Sequence, residues 1–309
     1  MTTPTGECLS DLGFATCDVF TRRAYTGNPL AIVEDADALS DAQMQTIARE
    51  FNLSETIFVQ APRDAAHDAR VRIFLPAAEI SFAGHPTIGC AIHLALKTAP
   101  DGDFETRIVL EEEAGLVPVT VWRAEGQLMA EFRAPVVPQA TDRVPPEADA
   151  LAEALGLATE AVGFGNHRPG LWRGGPTFLY VPVCDLAALA TARPCEPAWS
   201  RVTAAAGVDH MYLYSPGEAC DFRARMFAPA AGLPEDPATG SAAAILAGQL
   251  RAAGNLRGSD QFTLHQGVEM GRPSEITLTV HSDGDTITAV FVRGSAVPVS
   301  AGRITLPAA

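Results

Sequence analysis

Hydrophobic positions along this chain follow two spacings. Short runs that alternate or carry β-branched residues recur: Ala69-Arg70-Val71-Arg72-Ile73, Val117-Pro118-Val119-Thr120-Val121-Trp122, Glu275-Ile276-Thr277-Leu278-Thr279-Val280 and Thr286-Ile287-Thr288-Ala289-Val290-Phe291-Val292. They predict strands, with Gly, Asp or Pro in the separators. Helical patterns are fewer. Ser40 is placed to cap a helix over 41–51, and 148–157 is rich in Ala and Leu just after Pro145-Pro146. Two more segments, 88–97 and 242–253, are apolar or small nearly all round. A helix of that kind is buried, not laid on a surface. The pattern predicts a strand-rich layer wrapped around one central helix, and it does so twice.

The duplication is visible in the residues themselves. Arg72-Ile73-Phe74-Leu75-Pro76-Ala77-Ala78 returns 153 positions later as Arg225-Met226-Phe227-Ala228-Pro229-Ala230-Ala231. Each copy leads into a turn-forming cluster and then an apolar run. The clusters are Phe82-Ala83-Gly84-His85-Pro86-Thr87 and Glu235-Asp236-Pro237-Ala238-Thr239-Gly240-Ser241. Gly27-Asn28-Pro29 is echoed by Gly174-Gly175-Pro176 at an offset of 147, and Ser54-Glu55-Thr56-Ile57-Phe58-Val59 by Asp209-His210-Met211-Tyr212-Leu213-Tyr214 at 155. Three echoes in the same order predict a pseudo-twofold pair of domains. The expected boundary is 1–134 and 135–309, with the Pro-rich stretch 135–146 as connection. The final strand and tail, 293–309, fit either half by pattern, and the last residues are free to pack back on the N-terminal domain.

Bulk properties narrow the partners. A length of 309 suits two domains, and 47% hydrophobic residues give each a core. A formal net charge of −15, with Lys and Arg scattered, argues against nucleic acid. No apolar run approaches the ~20 residues of a membrane helix. Residues 1–7 lack the basic and apolar parts of a secretory signal, so a cytoplasmic chain is expected. The six cysteines, Cys8, Cys17, Cys90, Cys184, Cys195 and Cys220, have no short paired spacing, so reduced and packed thiols are expected. Glu111-Glu112-Glu113 is the densest charge run and reads as a solvated strand end or turn.

Candidate chemistry gathers at the two repeat clusters. If each opens a helix, it presents unpaired N–H groups and partial positive charge, a ready seat for a carboxylate or oxyanion. Gly84 permits close backbone approach and Pro86 suits a first helical turn; Asp236-Pro237 and Thr239-Gly240-Ser241 offer matching features. The reactive side chains there are His85 and Asp236, which fall at matching points of the repeat. Glu55 joins them, because a carboxyl opening an apolar strand is partly desolvated and its pKa rises toward the range of proton transfer. Each has a plainer reading: a hydrogen-bonded turn histidine, a turn or cap aspartate, a strand-end glutamate. Gln266–Ser274 is a polar, glycine-rich loop that is either a plain hairpin or a cleft wall. No HExxH, GxSxG, GxxxxGK[ST] or strand-following GxGxxG motif is present, so metal, nucleophile-elbow and nucleotide chemistry lack support.

These segments together resemble the phenazine-biosynthesis isomerase (PhzF-like) family, which has the diaminopimelate-epimerase fold. The resemblance rests on Asp18-Val19-Phe20, Thr26-Gly27-Asn28-Pro29-Leu30-Ala31, Ser54-Glu55-Thr56, Arg72-Ile73-Phe74 with Pro76 and Glu79, the cluster Phe82–Gly89, the cluster Glu235–Ala242, and Gln266-Gly267 with Met270-Gly271-Arg272-Pro273-Ser274. It implies an α+β fold of two similar pseudo-twofold-related domains, each a strand-rich sheet or barrel around a central helix, with the site between them. It implies a homodimer, no cofactor and no metal. By motif position Glu55 matches the family's proton-shuttling carboxylate, and His85 and Asp236 its two other catalytic-site residues. Gly84, Gly240 and Ser241 match contacts to the substrate. The paired cysteines of related epimerases and proline racemases are missing from both clusters, which disfavours a two-thiol racemase. The expected activity is cofactor-independent proton transfer within a small anionic metabolite. A two-base epimerase or racemase, and a non-catalytic small-molecule or protein-binding module on the same fold, remain open.

Overall fold

A computed structural model describes residues 11–307; Cys8 and the leader reading of 1–7 lie outside the described residues. The first half runs β1 (Asp11–Val19), β2 (Asn28–Val33), α1 (Asp41–Phe51), β3 (Glu55–Gln60), β4 (Ala69–Phe74), β5 (Glu79–Ile80), α2 (Gly84–Leu96), β6 (Phe104–Glu112), β7 (Gly115–Ala124) and β8 (Gln127–Arg133). The second begins with β9 (Gln139–Ala140), α3 (Ala148–Leu155), β10 (Gly170–Arg173), β11 (Thr177–Pro182), α4 (Leu186–Thr191) and α5 (Ala198–Ala206). It continues with β12 (Met211–Pro216), β13 (Phe222–Ala228), β14 (Leu233–Asp236), α6 (Gly240–Ala252), β15 (Ser259–Gln266), β16 (Ser274–Asp283), β17 (Thr286–Gly294) and β18 (Ala296–Thr305).

The strands form one continuous ribbon. β1 lies between β18 and β2; β3, β4, β6, β7 and β8 follow in turn. β8 then pairs with β17, Phe132 opposite Val292, and this antiparallel seam joins the halves. From β17 the ribbon continues through β16, β15, β13, β12, β11 and β10 to β9. Both halves share one device. β4 is paired at one end with β6 and at the other with β5, and α2 is inserted between those two strands. β13 does the same with β15 and β14 around α6.

Burial explains the two helix types. In α2, ten residues from Gly84 to Ala95 are buried, and α6 is buried from Gly240 to Leu250 except for the half-buried Ser241. Small residues let strands close on the helix: a Cβ on Gly89 would stand 2.6 Å from a Leu30 methyl. Both central helices enter a single core that includes Phe20, Phe132, Tyr180 and Tyr212. The outer sheet faces are covered separately. Met44 and Ile47 of α1 pack on Phe58 and Phe74, while Trp199 and Val202 of α5 pack on Leu213 and Phe227. β3 and β12 are therefore buried on both faces, which is why they read as unbroken apolar runs. α1 starts where the sequence predicts, with a capping box between Ser40 and Gln43. Among the described residues no helix is long and apolar enough to cross a membrane.

Three readings need correction. The echo of Gly27 is Gly175, not Gly174: both have positive φ, 72° and 99°. With that register Leu30 and Ile32 of β2 match Phe178 and Tyr180 of β11, all facing the shared core; a one-residue slip would turn every side chain to the other face. The Glu111–Glu113 run does end a strand, but Glu112 is buried. Finally, His85 and Asp236 are not repeat equivalents. His85 is the second residue of α2 and is matched by Ser241 in α6; Asp236 ends β14 and is matched by Ile80, at the end of β5.

The halves meet at the tips of α2 and α6. A Cβ on Gly84 would lie 2.9 Å from Gly240 Cα, and one on Gly240 would lie 3.0 Å from Gly84 Cα. An alanine inside a helix is ordinarily favoured over glycine by about 1 kcal/mol. Gly84→Ala is expected to do the opposite and destabilise by about 1–3 kcal/mol, because its methyl meets main chain that cannot rotate away. Urea unfolding reads the sign, and a neutral or stabilising result would mean that the tips do not touch.

Candidate active site

Three strand ends and two helix starts deliver the site. β2 opens with Asn28, β3 follows Ser54 with Glu55, α2 brings His85, β14 ends on Asp236 and α6 follows Thr239. The structure brings Glu55, His85 and Asp236 together. His85 and Asp236 are 2% and 3% exposed, and the Glu55 side chain is 12% exposed. Gly84, Gly240 and Ser241 sit at the adjoining helix tips.

Asp236 is held on both oxygens. Oδ1 accepts from Asn28 Nδ2 at 2.8 Å and Ser54 Oγ at 3.0 Å, and Oδ2 accepts from Thr239 Oγ1 at 2.5 Å. Asn28 and Ser54 belong to the first half, so the carboxylate is gripped across the junction. Gln266 supports it from behind: Nε2 donates to the Asp236 carbonyl and to Thr239 Oγ1, and Oε1 accepts the Thr239 N–H. The 267–273 turn therefore lies against the site. A Cβ on Gly267 would meet the Pro237 carbonyl at 2.6 Å, and Arg272 reaches across to Asp18 and the Gly27 carbonyl. Of the two readings of this loop, it is a wall of the junction.

The protonation states differ between neighbours. Burial pushes Asp236 up to about 6, against the lowering effect of its three donors. Burial, and then the Asp236 charge, hold Glu55 well above the usual carboxylate range. Burial lowers His85 to about 3, so the imidazole is neutral near pH 7. Of the two carboxyls, Glu55 holds its proton more tightly than an ordinary glutamate, while the three donors favour the charged form of Asp236. With the imidazole neutral, the 3.3 Å approach of His85 Nδ1 to Glu55 Oε2 is not an ion pair. It is not aligned as a hydrogen bond either: Glu55 Oε2 and His85 Nε2 are buried without a partner. Both atoms are open to a hydrogen bond from a group outside the chain.

The sequence motifs point to Glu55, His85 and Asp236 as reactive residues but not to Asn28, Ser54, Thr239 or Gln266, which hold Asp236 in place. Asn28 carried a usable signal, an amide directly ahead of the apolar run Leu30-Ala31-Ile32-Val33. Gln266 carried none, since its role depends on where β15 ends in space. Among the described residues no group of three or more His, Cys, Asp or Glu is placed to hold a metal ion.

Residues 17–302 match the family described as phenazine biosynthesis-like protein, PhzC-PhzF. An uncharacterized isomerase of Mesorhizobium japonicum is 40% identical over 296 residues, covering 93% of this chain and 96% of the relative. The trans-2,3-dihydro-3-hydroxyanthranilate isomerase of Pseudomonas aeruginosa is 36% identical over 295 residues, covering 95% and 99%. The crystal structure of the Bacillus anthracis phenazine biosynthesis protein of the PhzF family matches with a TM-score of 0.83 over 96% of this chain and 99% of that one. At 24% identity, that likeness speaks for the fold alone.

The repeat also assigns Glu112. It ends β6 as Gln266 ends β15, and beside the α2 tip it accepts from Thr87 Oγ1 at 2.7 Å while its Oε2 has no partner. Burial pushes it up to about 8 from an ordinary 4.5. The folded chain thus holds this proton more tightly than the unfolded chain. Its contribution to stability falls as pH rises from about 4.5 to about 8, by roughly 1.4 kcal/mol per unit, and is level on either side. Glu112→Gln, which copies its repeat mate, is expected to remove this slope. Denaturant titrations at pH 4.5 and 8 would show a gain confined to the higher pH; an equal effect at both would mean that Glu112 is not buried neutral.

Proposed function

This chain belongs to the phenazine biosynthesis-like family and is an isomerase, and from that premise we propose that it moves a proton within a small carboxylate-bearing metabolite bound between the two halves. The observation that carries the reading is the convergence of Glu55, nearly buried, with the buried His85 and Asp236, where two helix tips meet. The tips offer N–H groups and the positive ends of two helix dipoles to a substrate carboxylate.

Burial favours the protonated form of Glu55, and a base must be empty to act. An anionic group arriving beside His85 favours the imidazolium. A rotation of the Glu55 carboxyl that aligns it with Nδ1, 3.3 Å away, would let its proton pass there with no net change in charge. His85 Nε2 would face the substrate as a donor, and Glu55 would become the carboxylate that removes the activated C–H proton. The electron pair shifts along the conjugated system, and the Glu55 carboxyl returns its proton at the far end. One group suffices because the acid formed in the first step is the donor for the second. Asp236, with both oxygens occupied, orients and balances charge instead of exchanging protons.

The free Nε2 of His85 leaves a two-base epimerase as a second reading, with Glu55 and His85 on opposite faces of the substrate. Incubation in deuterium oxide with trans-2,3-dihydro-3-hydroxyanthranilate, the compound named for the Pseudomonas relative, separates the readings by NMR. One deuteron with a moved double bond is expected. Exchange with inversion would select the epimerase, and binding without exchange would leave a binding module. A screen of small carboxylic acids by thermal stabilisation supplies the probe if that compound does not bind. Glu55→Gln is expected to lower turnover by roughly 10²–10⁴-fold while unfolding as wild type; near wild-type turnover would remove Glu55 from the mechanism.

A further inference from the structure

Asn28 is fully buried at the start of β2, in the half that does not carry Asp236. Its Nδ2 has two hydrogens and two partners at 2.8 Å, Asp236 Oδ1 and the Ala238 carbonyl. A carboxylate and a carbonyl only accept, so the amide cannot be flipped. Both hydrogens are committed, and the 3.3 Å approach of Nδ2 to His85 Nδ1 is left as packing. The Asn28 side chain therefore touches the Asp236 carboxylate, the turn leading into α6, and the imidazole on α2. Behind it, the turn is set by the Gly27 N–H bonded to the Pro273 carbonyl and by Arg272 Nε on the Gly27 carbonyl, 3.1 and 2.8 Å.

We infer that Asn28 is a positioning residue for the isomerisation: its amide, reaching across the junction, fixes the orientation of the Asp236 carboxylate beside His85 and Glu55. Three consequences follow from the geometry. The carboxylate cannot rotate without breaking the bonds from Asn28, Ser54 and Thr239. Its charged form is held by donors, one of them contributed by Asn28. The spacing between the two helix tips is tied to the same amide through Ala238, two residues before Gly240. The groups that share this electrostatic environment are Glu55 from β3, His85 from α2, Tyr212 from β12 and Glu235 on the same strand as Asp236.

The inference rests on the proposed function only for its effect on turnover, and its test is kept separate. In a Glu55→Gln background, which removes the coupled neighbour, the Asp236 carboxyl carbon is followed by NMR in aspartate-labelled protein as pH is varied. Asn28→Ala is expected to raise the Asp236 midpoint by about one pH unit, the worth of one hydrogen bond to a charged group. If that variant does not fold, Asn28→Ser, too short to reach both acceptors, carries the same measurement. An unmoved Asp236 midpoint in folded Asn28→Ala or Asn28→Ser overturns the inference. A raised midpoint supports it whatever happens to turnover. If turnover in the Glu55 protein is then unaffected, positioning stands and it is the role of Asp236 in the reaction that fails.

Discussion

Two backbones touch at Gly84 and Gly240, and the arrangement of the site depends on that contact. With no Cβ on either residue, the first turns of α2 and α6 approach to main-chain distance. The approach brings together two sets of helix-start N–H groups that would otherwise belong to separate halves. It also leaves no space for water between the halves at that point, so the side chains around it are desolvated. Phe20 and Phe132 wall the contact on either side: a Cβ on Gly240 would lie 3.3 Å from the Phe20 ring, and one on Gly84 the same distance from Phe132.

Desolvation then sorts the protons. Two carboxyls close to one another in a dry site cannot both ionise cheaply, and the one with more donors keeps the charge. Asp236 has Asn28, Ser54 and Thr239; Glu55 has an oxygen with no partner at all. Unequal hydrogen bonding therefore sets two similar groups apart, one held by three donors that favour its charge, the other pushed by burial toward its protonated form. The neutral histidine beside them follows from the same burial. An exposed version of this trio would titrate like free side chains and would have no such division.

Much of this could be read from the residues. The strand runs, the α1 cap and the all-round apolar character of 88–97 and 242–253 located the elements, because those signals are local. The repeat located Glu55, His85 and Asp236 in one neighbourhood because equal halves can face each other. What escaped was set by register and by contacts across the ribbon. The Gly27 echo was misplaced by one position, since glycine-rich turns carry little register of their own. Glu112 looked solvated because its neighbours Glu111 and Glu113 are acidic, yet a strand alternates and sends the middle residue inward. Asn28 and Gln266 act on a residue 208 and 30 positions away respectively, and no local pattern encodes such a pairing.

Comparison of the halves separates scaffold from chemistry. Arg72 grips Glu79 through Nε and Nη2, and Arg225 grips Glu235 in the same way, so this bidentate pair survives in both copies. Each ties a long strand to the short strand that precedes a central helix, and Arg225 also takes the Leu189, Ala190 and Ala192 carbonyls at the end of α4. At the junction the copies share the glycines Gly84 and Gly240 but differ in the reactive side chains: Ile80 stands where the second copy has Asp236, His85 where it has Ser241, Glu55 where it has His210, and Glu112 where it has Gln266. His210 has turned away to the Thr177 carbonyl. A two-base reaction draws on both halves alike and is served by keeping them alike, as two thiols would. A single shuttling carboxyl needs one half to supply the mobile proton and the other to supply a fixed charge. The retained Arg–Glu grips and the diverged junction fit that second demand: symmetry is kept where strands must be aimed, and lost where protons must be told apart.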